Sequence, residues 1–128
     1  MVKPTTKSIT HENSTISWIE DDIIYVKWKE GIDIEIPDVD ELSVSFQKLT
    51  EGRKVKVIQD FAHFTSITSE ARAHAAKTAP ASIAVAYVIK SLGQRMILRF
   101  YVRMKKRPTP TKVFMKLEDA IDWLKTRS

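Results

Sequence analysis

The sequence predicts a single α/β domain, with an N-terminal hairpin leading into a mostly parallel, mixed sheet of about five strands carrying about four helices. Three observations lead there. A length of 128 residues suffices for one hydrophobic core and is too short for two. From residue 38 onward, short runs rich in β-branched residues alternate with segments of helical periodicity, the pattern of parallel strands joined by right-handed crossovers. The segment Ala81–Ile89 (ASIAVAYVI) is almost continuously apolar, as a central strand covered on both faces must be.

Taken in order, residues 1–13 read as a flexible tail and residues 14–128 as the domain. Ser14–Glu20 and Ile23–Trp28, divided by Asp21 and Asp22, make the hairpin. Ile24, Val26 and Trp28 alternate with Tyr25 and Lys27, so one face is buried and the other half-covered, which suits a position near a sheet edge. Glu30 and Gly31 end that strand, and Asp33–Ile36 reads as extended. Asp38 follows Pro37 and precedes Glu41 by three residues, the spacing of a capping box. Val39, Leu42, Phe46 and Leu49 then recur at helical spacing until Gly52 supplies the stop. Lys54–Gln59 is the next strand, and Thr68 is placed to cap a helix over Ser69–Ala79 that ends before Pro80. Beyond Ala81–Ile89, a third helix is expected from about Ser91 to Lys106. Pro108–Pro110 makes a stiff connection, Lys112–Met115 a last short strand, and Leu117–Lys125 a last helix with Glu118 and Asp119 favourably in its first turn.

Charge is divided unevenly along the chain. Residues 1–70 hold 8 basic and 13 acidic side chains, whereas residues 71–117 hold 11 basic and none acidic. Either the two halves complement one another within the domain, or the basic half presents a surface to an anionic partner. The absence of cysteine excludes disulfides, thiolate metal sites and cysteine nucleophiles. No run approaches the roughly 20 apolar residues of a membrane span, and the polar N-terminus has no signal core, so a cytoplasmic location is expected.

Motifs for chemistry are sparse. His11, His63 and His74 have no metal-ligand spacing, although His63 stands near Asp60 at a strand end, where α/β sheets place their sites. Glycines at 31, 52 and 93 cannot build a phosphate-cradling loop, and no GxSxG elbow occurs. No catalytic, cofactor-binding or metal-binding residue is therefore expected. The third helix is more informative. Met96, Ile97, Phe100, Tyr101 and Met104 share one arc suited to packing on the sheet. Arg95, Arg99 and Arg103 recur on another strip as candidate anion-binding residues. Leu98 and Val102 lie beside that strip, away from the apolar arc, and are candidates for a protein interface, most simply a homodimer.

The segments ISWIEDDIIYVKW, LTEGRKVKVIQD, ITSEARAHAA and RPTPTKVFMKLEDAIDWL, in this element order, resemble an uncharacterised group of bacterial domains. These are similar to the SpoIIAA-like, or STAS-like, fold of anti-sigma-factor antagonists, and the resemblance runs from Ser14 to Lys125. In those antagonists a serine at a helix N-terminus, within an Asp-Ser-Ser-Gly motif, is phosphorylated by a partner kinase. The matching positions here are Thr68, Ser69, Glu70 and Ala71, so the resemblance makes Ser69 the candidate phosphoacceptor, with Glu70 and Ala71 departing from the motif. It implies a non-catalytic regulatory or protein-interaction module. A small apolar-ligand or lipid-binding domain, with Met96, Phe100, Met104 and Trp123 around a pocket, is the alternative. Anionic-surface or nucleic-acid binding ranks third, because no nucleic-acid-binding motif accompanies the basic half.

Overall fold

A computed structural model describes residues 8–20, 22–61, 65–91, 93–96 and 109–127. Ser8–Thr10 (β1), Ser14–Glu20 (β2) and Ile23–Trp28 (β3) form an antiparallel meander. Lys56–Phe61 (β5), Ala84–Ile89 (β7) and Thr111–Phe114 (β8) then add to β3 in parallel, giving a six-stranded sheet in the order β1-β2-β3-β5-β7-β8. Asp33–Ile34 (β4) and Ser66–Ile67 (β6) pair in parallel beside it. The helices are α1 (Ile36–Thr50), α2 (Ser69–Thr78), a helical segment over residues 93–96 (α3) and α4 (Leu117–Lys125).

Strand alternation sorts side chains onto two faces. On one, Ile24, Val26, Trp28 and Val57 pack with Val39 and Phe46 of α1 and Ala71 of α2. On the other, Ile23, Ile58, Ala84, Ala86 and Val88 pack with Ala120 and Leu124 of α4. Strand β7 is interior to the sheet as its composition requires, but its faces are not equally covered: Ala84, Ala86 and Val88 are buried beneath α4, whereas Val85 and Tyr87 opposite are half-buried.

Three expectations need correction. Residues 8–13 are not tail. β1 pairs with β2, Ile9 packs on the core, and Asn13 donates a 2.9 Å hydrogen bond to Asp38. The first helix begins at Ile36, with Glu35 as its cap. Pro37 is tolerated there because the first turn leaves its backbone nitrogens without intrahelical acceptors, and Asp38 reaches back to accept from the Glu35 N–H at 3.0 Å. Its C-terminus matches expectation more closely: Glu51 and Gly52 both take positive φ, and glycine is the residue that does so without strain. Met96, assigned to the apolar arc of the third helix, is exposed. Among the described residues no helix is long and apolar enough to cross a membrane.

Candidate functional site

Open α/β sheets collect ligands at the carboxyl ends of their parallel strands. Here β3, β5, β7 and β8 all end on one side, and two open clefts lie there. The first includes His11, Trp28 and Lys29 in its lining, and the second includes Tyr25, Val88 and Lys116. Three residues line both: Lys27, Asp60 and Lys90.

Register explains why these three converge. Lys27 lies directly across from Asp60, and Asp60 across from Val88, so these side chains point to the α4 face; Lys90, just beyond the end of β7, lines both clefts with Lys27 and Asp60. Asp60 is only 9% exposed, an unusual position for a carboxylate, and it is held there by the Tyr25 hydroxyl, which donates to Oδ2. Lys27 and Lys90 are exposed, and neither ion-pairs with any described carboxylate. The shared wall therefore combines a fixed acceptor, Asp60, with two lysines that pair with no described carboxylate.

Tyr25 carries the electrostatic signature of this arrangement. Burial pushes its phenol above the usual value near 10, and its hydrogen bond to the Asp60 carboxylate and that group's negative charge push it further. Because the folded state raises this value, the stabilisation is complete below about pH 10 and is lost as pH rises from there. Tyr25→Phe is accordingly expected to flatten the alkaline limb of the stability curve, measured by urea unfolding between about pH 9 and 12. Parallel curves for both proteins would contradict the assignment.

A second polar cluster escaped sequence reasoning. His11 Nε2 lies 2.5 Å from Ser45 Oγ, and its Nδ1 lies 3.4 Å from Glu41. The wiring resembles a serine–histidine–carboxylate relay. Ser45, however, is 3% exposed and sits inside α1, whose backbone N–H groups are committed to the helix and do not serve as an oxyanion hole. The contact instead clamps the segment after β1 to α1. His74 does similar work between helices, 2.6 Å from Asp40.

Ser69 is the first residue of α2 and is exposed. Thr68 caps that helix as expected, its hydroxyl accepting from Ala71 N at 3.1 Å, and Ser69 Oγ bonds to no described residue. Arg95 is half-buried at the start of the third helix, with its Nε atom buried and unpaired. Neither Ser69 nor Arg95 lines the clefts. His63, Leu98, Arg99, Val102 and Arg103 lie outside the described residues. The cleft trio was signalled in the sequence only as polar residues at or just beyond the ends of predicted strands.

A family model described as "Domain of unknown function (DUF7793)" matches residues 17–128. The crystal structure of an uncharacterized protein from the DUF3478 family, from Shewanella loihica PV-4 and described as having a SpoIIAA-like fold, aligns with a TM-score of 0.62. Identity is 17%, and the alignment covers 97% of this chain and 98% of that one. At such identity the likeness shows the fold alone, which is SpoIIAA-like here too. No curated protein matches the chain.

Proposed function

The chain belongs to the DUF7793 family of domains of unknown function, and from its SpoIIAA-like fold we propose that it is a non-catalytic regulatory module acting through a protein partner. One observation carries this. Ser69 stands exposed at the first position of α2 with its hydroxyl bonded to no described residue, while Thr68 caps the helix. A phosphate on Ser69 would meet the N–H groups of the first turn that have no intrahelical acceptor, and the helix dipole favours it. Glu70 beside it opposes a second negative charge, so modification would alter this turn's electrostatics sharply rather than add to a prepared anion site.

A regulator of this kind would work in the bacterial cytoplasm. Leu98 and Val102 are the residues we assign, on sequence grounds, to contact with a second copy or another partner. The apolar-ligand alternative has less support, since Trp123 packs against Phe114 in a tilted pair with centroids 5.7 Å apart and is covered by Arg127 at 4.7 Å. Intact-mass analysis and peptide mapping of protein purified from its native host test the proposal. One phosphate on the peptide containing Ser69 is expected; modification only at other residues, or none under any growth condition, would remove the switch from consideration.

A further inference from the structure

We propose that the wall shared by the two clefts is a binding site for a small phosphate monoester bearing hydroxyl groups, its phosphate held between Lys27 and Lys90 and a hydroxyl donating to Asp60. This goes beyond the partner-binding proposal and does not depend on Ser69 being modified.

The geometry argues from three directions. First, β3 and β7 flank β5, so they stand two strand spacings, about 10 Å, apart, within the joint reach of two lysine side chains. Two lysines lining the same wall suit a phosphate, which offers several acceptor oxygens. Second, the lysines of the acid-free block lack carboxylate partners: among the described residues, Lys77, Lys90, Lys112 and Lys116 form no ion pair with a carboxylate. Four acids of the N-terminal half pair elsewhere, Asp22 with Lys56, Glu20 with Lys125, Asp40 with His74 and Glu41 with His11. Third, Asp60 is buried and anchored through one oxygen by Tyr25, while the other receives no hydrogen bond from a described residue. The second oxygen of a carboxylate that lines both clefts can accept from a ligand hydroxyl.

Asp60 also decides which anions are accepted. A bare phosphate between the lysines gains their attraction but faces the Asp60 charge without compensation. A phosphate monoester with a hydroxyl converts that repulsion into a charge-assisted hydrogen bond. Each cleft carries two further acids, Glu12 and Glu30 in the first and Glu118 and Asp119 in the second. The anion is thereby confined to the shared wall, where Lys27 and Lys90 both contribute.

Titration of the full chain with ribose 5-phosphate, inorganic phosphate and ribose, followed by amide chemical shifts at low salt, tests this. Ribose 5-phosphate should bind saturably, with shifts centred on residues 27, 60 and 90. Inorganic phosphate should bind about tenfold more weakly, and ribose should produce no saturable change. Lys27→Met with Lys90→Met, both at exposed positions, should weaken ribose 5-phosphate at least about tenfold while the spectrum stays folded. Asp60→Asn should strengthen inorganic phosphate and narrow the gap between the two ligands. Unsaturable shifts, shifts centred elsewhere, or an Asp60→Asn effect equal for both ligands would overturn the proposal, the last by showing that Asp60 only offsets lysine charge.

Discussion

Ile58→Asp is expected to leave the chain unfolded in circular dichroism and one-dimensional NMR. Ile58 is fully buried at the middle of β5, with Tyr25 and Ala86 across from it on the two neighbouring strands and α4 above. The substitution removes a side chain whose truncation alone costs about 2–5 kcal/mol. It then adds a carboxylate beside donors that are already committed, the Tyr25 hydroxyl to Asp60 and the Lys56 ammonium to Asp22, at several kcal/mol more. Against a total stability of about 5–15 kcal/mol, the sum removes most or all of the margin. Ile58→Val, which keeps shape and polarity, is expected to cost only about 0.5–1.5 kcal/mol. A soluble Ile58→Asp protein with a cooperative unfolding transition would contradict the two-faced sheet. The same change at Val85 should be milder, because the α1/α2 side leaves Val85 half-buried although its sequence context reads as buried on both faces.

That contrast shows what a one-dimensional pattern holds. Runs such as Ile23–Trp28 and Ala81–Ile89 announce strands because their composition and alternation reflect what a sheet buries, and the alternation of element types leads to parallel crossovers. β1, β4 and β6 are three, two and two residues long, too short to display a period, and they exist through pairing partners distant in the chain. The first helix starts two residues before Asp38 because Pro37 is compatible with its opening turn. The cleft was less legible still. Lys27, Asp60 and Lys90 are each unremarkable as isolated polar residues after apolar runs, and only the parallel register of β3, β5 and β7 brings them to one wall. Charge blocks misled in a related way. Of the acidic half, Asp22 pairs with Lys56, Glu41 and Asp40 with histidines and Glu20 with Lys125, so the described lysines of the basic block take no part in these ion pairs.

Asp22→Ala is expected to lower stability by about 1–3 kcal/mol, and Lys56→Met is expected to rescue it. Lys56 points into the α4 face between Ile23 and Ala84, with its side chain 7% exposed, and its ammonium lies 3.1 Å from the Asp22 carboxylate. Asp22 itself is 51% exposed, so the pair is anchored at a buried cation and opens to water at the anion. Removing Asp22 strands a charge that cannot easily leave the core, which costs more than losing an ordinary surface pair. The turn should not loosen as a consequence, because the Lys56 N–H also donates to the Asp22 carbonyl at 2.8 Å, and the substitution leaves that bond in place. Methionine keeps most of the apolar stem of Lys56 and removes the charge, so the double variant should return to within about 1 kcal/mol of the starting protein. Urea unfolding of the four proteins in the cycle measures the coupling directly. If Asp22→Ala alone shifted stability by less than about 0.5 kcal/mol, Lys56 would have to reach water by another route, and its burial would not govern the energetics of this corner of the sheet.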